Sequence, residues 1–330
     1  MRSELHPEVR ELLNERAEAG TPRNHQLSVQ GTRKSGQTER TAAASETDQI
    51  SVGSVRDYLI PGPDGHEQSL PVRIYTPSGS GPFPIAVWFH GGYFVRGSLD
   101  SNDRKCRYLT KHAECAVMAV DYRLAPENPF PAAVHDAYAA VKWAAENPEI
   151  LLGDADRLAV AGSSAGGNLA AAVSLMARDR DDGPDIGRQV LGVPVLDLAF
   201  DLTSPVVELD RPRSFEENAE GYGLTREEMV LNRDLYLEDE IDAFHPYASP
   251  LRARDLSGLP PTLIITAGFD PLRDDGWAYA ERLRETDVSV EHSHYDDMPH
   301  SVTGSTFLRR GITPTVNALE EMATELREGL

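Results

Sequence analysis

Lysine is scarce in this chain. It stands only at Lys34, Lys105, Lys111 and Lys142, so the other 28 of the 32 basic residues are arginine. Cysteine is scarcer still: Cys106 and Cys115 are the only two in 330 residues. Neither has metal-ligand spacing or a secretory context, so a disulfide framework is excluded and two reduced thiols are expected. Long apolar runs are missing as well. Met1-Arg2-Ser3-Glu4-Leu5-His6-Pro7 lacks the apolar core of a signal peptide, and no stretch is long enough to span a membrane. A cytoplasmic location and no membrane partner are expected. An excess of positive charge is absent too. The net charge of −21 argues against nucleic acid, because a polyanion would be repelled. Acid excess with little lysine suits a hydrated surface in high salt, and equally an ordinary acidic cytosolic enzyme from a GC-rich genome.

What is present is alternation. Apolar, β-prone runs are expected as strands near Val55–Ile60, Leu70–Tyr75, Ile85–Phe89, Ala116–Val120, Leu158–Ala161, Val190–Val195, Leu263–Thr266 and Val288–His292. Helical patterns fall between most of them, which predicts an α/β fold: a mainly parallel eight-stranded sheet covered by helices on both faces. Two stretches stand outside this rhythm. Pro7 to Ala19 reads as a helix with Val9, Leu12 and Leu13 on one face, and Thr21 to Val52 is polar with little periodicity. Ser204 to Asp242 carries Phe215, Tyr222, Leu224, Met229, Leu231 and Tyr236 on helix-like segments. The division expected is an N-terminal cap segment (1–54), a first part of the core (55–203), a cap insertion (204–242) and a second part of the core (243–330).

Gly162-Ser163-Ser164-Ala165-Gly166 has the form Gly-x-Ser-x-Gly, between the strand Leu158–Ala161 and the helix former Asn168–Ala177. A serine nucleophile needs a sharp turn there, and Gly162 and Gly166 let the backbone crowd without Cβ clashes. Only Ser164 has glycine at both flanking positions of the pattern, so Ser163 is not the nucleophile. Upstream, the run Ile85–Phe89 ends in His90-Gly91-Gly92-Tyr93-Phe94. Acyl transfer passes through an oxyanion that fixed backbone N–H groups stabilise, and glycines let the main chain approach it. The natural donors are Gly91, Gly92 and Ala165. His90 is read as a brace for its loop.

His90-Gly91-Gly92, Asp121-Tyr122-Arg123-Leu124-Ala125-Pro126-Glu127, the serine elbow with Gly167-Asn168-Leu169-Ala170, and Gly268-Phe269-Asp270-Pro271-Leu272-Arg273-Asp274 together resemble the hormone-sensitive-lipase-like carboxylesterases. The resemblance runs from about Val55 to the C-terminus. It implies the α/β-hydrolase fold with a helical cap, hydrolysis of short- to medium-chain esters, and no cofactor. It also implies a second cap helix within 21–52, where the polar composition equally fits a mobile segment, and cis candidates at Ala125-Pro126 and Phe130-Pro131. Two departures stand out. The family usually has a third glycine where Tyr93 stands and an Asp where Ser163 stands. Tyr93 is expected to narrow the alcohol side, and Ser163 removes a charge beside the nucleophile.

In this fold the nucleophile precedes the acid and the acid precedes the histidine. Asp270 follows the strand Thr262–Ala267 directly, in the kind of loop that holds catalytic groups. Asp274 and Asp275 start the next helix, where carboxylates favour the dipole. His300, in the loop Asp296–His300 after the last strand, completes the expected triad Ser164–Asp270–His300. His292 and His294 share one face of that strand, but no third ligand stands at short spacing, so no metal is expected. The reading is a serine carboxylesterase acting on small-molecule esters, as monomer or homodimer. An amide hydrolase of the arylformamidase type is an alternative. A ligand-binding receptor built on an inactive hydrolase is the other, though relatives of that kind lack the histidine that His300 supplies.

Overall fold

Alternation at period two divides the sheet's side chains between two apolar layers. In β3 (Phe83–Phe89), Ile85, Val87 and Phe89 enter one layer while Ala86 and Trp88 enter the other. In β4 (Ala116–Val120), Met118 and Val120 oppose Val117 and Ala119 in the same way. Strands that are apolar on both faces bury themselves only under cover on both sides. The computed structural model describes residues 3–20, 26–31, 33–34, 50–63, 69–202 and 213–330.

Its sheet adds β1 (Ser54–Ile60), β2 (Leu70–Thr76), β5 (Gly153–Ser163), β6 (Arg188–Gly192), β7 (Thr262–Phe269) and β8 (Val290–Pro299). The eight strands run in the order β1-β2-β4-β3-β5-β6-β7-β8. β2 is antiparallel to both neighbours, and the other pairs are parallel. The helix α1 (Pro7–Glu18) and the helix α2 (Leu99–Ala113) pack on one face. There α2 starts with a capping box in which Ser98 and Ser101 satisfy each other's N–H groups. The other face carries α3 (Ala132–Glu146) and α4 (Ala165–Arg178). Every residue of α4 except Arg178 is buried, and its alanines and glycines let the helix lie close to the strands.

Several strand bounds differ from the sequence reading: β5 starts at Gly153, not Leu158, and β7 runs to Phe269, not Thr266. β6 stops at Gly192, not Val195, because Val193 takes a φ of 42° and turns the chain. β8 runs to Pro299, so Asp296 to Pro299 is strand, and His300 opens a short 3-10 turn, His300–Thr303. As an edge strand β8 pairs on one side only, as far as Phe269↔Pro299, and its free side tolerates charge that reads as loop in sequence.

In α1, Val9 and Leu12 are buried and Leu13 half-buried. Residues 29–31 and 33–34 are helical. Arg33 donates to the Val95 and Ala125 carbonyls at 2.8 Å each and pairs with Glu127. Residues 21–25, 32 and 35–49 lie outside the described residues, as do 203–212 of the expected insertion. Beyond those, α5 (Arg213–Glu217) and α6 (Arg226–Tyr236) bury Phe215, Met229 and Tyr236, and Leu224 is buried between them. Tyr222 is half-buried and Leu231 is exposed. Asn218, in this segment, donates to the Asp270 carbonyl at 2.9 Å and so ties it to the loop after β7.

Candidate active site

Ser164 sits between β5 and α4 with φ 58° and ψ −119°, outside the allowed regions for a side-chain-bearing residue. Such a conformation costs roughly 1–3 kcal/mol and persists only where the surroundings enforce it. Here the Ser164 N–H donates to the Gly192 carbonyl at 2.8 Å, while its own carbonyl accepts from Asn168 and Val195 at 3.1 and 3.2 Å. The flanking glycines are steric requirements. A Cβ on Gly162 would come within 2.2 Å of the Gly166 carbonyl oxygen, and one on Gly166 within 1.9 Å of the Phe89 oxygen. Asn168, one turn into α4, donates to the carbonyls of Val195 and Ala248 at 2.8 and 2.7 Å and anchors the helix start.

Asp270 leaves the end of β7 and His300 follows β8, so the two parallel neighbours deliver both side chains to one place. His300 Nδ1 lies 2.8 Å from Asp270 Oδ2, and His300 Nε2 lies 3.0 Å from Ser164 Oγ. The second Asp270 oxygen accepts the Leu272 N–H at 2.9 Å, which fixes the carboxylate plane. Asp270 is 1% exposed. Asp275 and Asp197 are further buried carboxyls. Desolvation, then the charge of Asp197, pushes Asp275 well above the usual carboxylate range, and Arg252 neutralises Asp197 in a buried pair at 2.6 Å.

Gly91 and Gly92 pass beside the serine. A Cβ on Gly91 would lie 2.8 Å from the Ser163 oxygen and 3.3 Å from the Ser164 Cβ. Among the described residues, no hydrogen bond occupies the N–H groups of Gly91, Gly92 or Ala165. His90 braces the loop as read from the sequence. Its ring stacks on Tyr122 at 4.2 Å, its Nδ1 meets the Gly91 carbonyl at 3.0 Å, and the Tyr122 hydroxyl donates to the His90 carbonyl at 2.7 Å. In the Asp121–Glu127 run, the half-buried Arg123 forms a bidentate pair with the buried Asp136 at 2.7 Å, and both X-Pro bonds expected to be cis are cis.

A cavity of about 360 Å³ opens onto Gly91, Gly92, Ser164 and His300. Tyr93 is not among its lining residues: its ring is 2% exposed and packs edge-on against Phe94 in the core. The expected narrowing of the site by Tyr93 is therefore not seen at this cavity. His292 and His294 lie apart from it, and both hydrogen-bond to Thr266 Oγ1, at 2.8 and 2.9 Å. Among the described residues no three His, Cys, Asp or Glu side chains cluster to hold a metal. Cys106 and Cys115 are both free and buried.

Lys105 has no place in the sequence reading, yet it lines the cavity and is 4% exposed. Its signal was present. Asn102, Lys105, Cys106, Leu109 and Ala113 form one buried face of α2, and a lysine within that face in so lysine-poor a chain marks an unusual environment.

A strained serine between a strand and a helix, with an aspartate after β7 and a histidine after β8, is the arrangement of an α/β-hydrolase site. Residues 86–304 match the family described as alpha/beta hydrolase fold. Carboxylic ester hydrolase LipN of Mycobacterium tuberculosis is 42% identical over 251 residues, 74% of this chain and 63% of LipN, so the chain spans less than two thirds of that relative. An arylesterase of Saccharolobus solfataricus is 40% identical over 269 residues, 81% of this chain and 83% of its own. Among solved structures, a hyperthermophilic esterase of Pyrobaculum calidifontis superposes with a TM-score of 0.88 at 36% identity, covering 99% of both chains. The chain belongs to the α/β-hydrolase family, among the hormone-sensitive-lipase-like carboxylesterases. No helix among the described residues is long and apolar enough to cross a membrane.

Proposed function

We propose that the protein is a serine carboxylesterase that cleaves short- to medium-chain carboxylic esters through an acyl-enzyme on Ser164. The observation that carries this reading is the continuous chain Asp270–His300–Ser164, with separations of 2.8 and 3.0 Å. His300 Nε2 takes the Ser164 proton as Oγ attacks the ester carbonyl, and Asp270 holds the proton on Nδ1 and stabilises the imidazolium. The carbonyl oxygen becomes an oxyanion received by the N–H groups of Gly91, Gly92 and Ala165. The imidazolium then protonates the leaving alcohol. Water, activated by the same histidine, releases the acid in a second addition and collapse. All three side chains come from one chain, so a monomer is sufficient and a homodimer is compatible. A cytoplasmic setting and a small-molecule ester as the partner complete the reading.

The test is Ser164→Ala together with an ester-mimicking phosphonate. The substitution is expected to lower kcat on para-nitrophenyl butyrate by several orders of magnitude without loss of fold, since the elbow and the oxyanion donors remain. Wild-type protein is expected to gain the phosphonyl mass on the peptide that contains Ser164. Turnover by the variant near the wild-type rate, or labelling elsewhere, would overturn the assignment. Formamide substrates run beside the ester distinguish the amide-hydrolase alternative.

A further inference from the structure

The cavity beside Ser164 is basic in a strongly acidic protein. The chain has 53 acidic and 32 basic residues, yet among the described residues lining this cavity are Arg16, Arg96, Lys105 and Arg309 and no Asp or Glu. Two of the four charges are answered elsewhere. Arg16 has contacts of its own, and Arg96, whose guanidinium burial holds below its usual value, feels the carboxylate of Glu228. Lys105 and Arg309 are different.

The Lys105 ammonium donates to Ser163 Oγ at 3.3 Å and lies 5.1 Å from the centre of the Trp88 ring. The same serine hydroxyl lies 3.1 Å from Thr303 Oγ1. No carboxylate among the described residues pairs with Lys105. A hydroxyl and an aromatic face are weak compensation for a buried charge, and an apolar residue of similar volume would be more stable there. Arg309, on α7 (Ser305–Arg310), is half-buried at the same cavity and forms no ion pair among the described residues, whereas its neighbour Arg310 pairs with Glu15. Burial pushes the Lys105 ammonium down to about 8, so it still carries its charge at neutral pH.

We propose that this cavity selects esters bearing a free carboxylate, with Lys105 at its inner wall and Arg309 beside it receiving that charge while Ser164 attacks the ester carbonyl. The proposal rests on the esterase reading and names the substrate class for the same site. A charge-assisted hydrogen bond to a desolvated ammonium is stronger than a neutral one, and such a ligand brings the cavity a counter-ion that none of its described lining residues supplies. A neutral ester leaves the ammonium as it is.

The experiment measures kcat/KM for two matched pairs: para-nitrophenyl hydrogen glutarate against para-nitrophenyl pentanoate, and para-acetoxybenzoate against its methyl ester. The first pair places the charge on the acyl side, the second on the alcohol side. In one pair the wild type is expected to favour the anion, and Lys105→Met to lower the anionic-to-neutral ratio by about 10- to 50-fold. Arg309→Gln is expected to lower it about 3-fold. Lys105→Met should also hold or raise Tm, which a merely structural lysine would not allow. Glutarate titrated calorimetrically into Ser164→Ala protein should bind, and weaken at least 10-fold when Lys105→Met is added.

Equal falls for both members of each pair in Lys105→Met, or a wild type that disfavours the anion more than tenfold in both pairs, would overturn the proposal. A wild type that cleaves none of the four esters would instead overturn the esterase reading, and the glutarate titration would still decide the anion site. If Lys105→Met fails to fold, Arg309→Gln and the glutarate titration carry the decision: no glutarate binding refutes it.

Discussion

Replacing Asp270 by Asn exchanges one oxygen for an NH2 group and is expected to remove almost all activity. In the structure the two carboxylate oxygens do different work: Oδ2 lies 2.8 Å from His300 Nδ1, and Oδ1 accepts the Leu272 N–H at 2.9 Å. An asparagine must keep its oxygen toward Leu272, because an NH2 group there would oppose another N–H in a fully buried setting. That leaves the NH2 facing His300 Nδ1. The ring then has to accept at Nδ1, so its proton moves to Nε2, the atom 3.0 Å from Ser164 Oγ. A protonated Nε2 in neutral imidazole cannot take the serine proton. The expected loss in kcat is about 10³- to 10⁴-fold, which at about 1.36 kcal/mol per decade is roughly 4–5.5 kcal/mol of barrier. The variant is nearly isosteric, so Tm should shift by only a few degrees, and KM should stay within about threefold because ground-state contacts are kept. The assay is saturating hydrolysis of para-nitrophenyl acetate beside thermal melts of both proteins. A kcat within tenfold of wild type, with the fold intact, would refute the tautomer argument and the assignment of Asp270.

Burial, together with the neighbouring His294, pushes His292 down to about 4, below its ordinary 6.5. Between those values the unfolded chain binds a proton that the folded chain does not, so stability should be full above pH 6.5 and fall as pH drops towards 4. Because this edge strand is partly open to water, solvent screening discounts the effect to about 1 kcal/mol. His292→Gln should flatten that part of the urea-derived stability curve, and an unchanged curve would refute it. If the acidic surface is a salt adaptation, Tm should rise alike in sodium and potassium chloride as the screening length shrinks to about 3 Å at molar salt. A flat or falling profile in both chlorides would leave only the ordinary acidic enzyme.

The sequence by itself determined the sheet, because strands apolar on both faces need cover on both sides. Ile85 to Phe89 and Ala116 to Val120 are legible as buried strands without any contact being known. It also determined the serine elbow, since Gly162 and Gly166 stand where a Cβ would strike a carbonyl and no other residue type fits. Chain order then singled out Asp270 and His300. It could not determine that β8 runs to Pro299, because an edge strand tolerates Asp296 and Asp297 in a pattern that reads as loop. Nor could it determine where Tyr93 turns, since a ring after two glycines can point to substrate or to core, and packing against Phe94 took it inward. Above all, the sequence did not reveal the charge of the cavity. Lys105 lies 58 residues from Ser163, and Arg309 and Arg16 come from opposite ends of the chain. Their common wall exists only where α1, α2 and α7 meet on one face of the sheet, because burial and electrostatic potential depend on distance in space, not on separation along the chain.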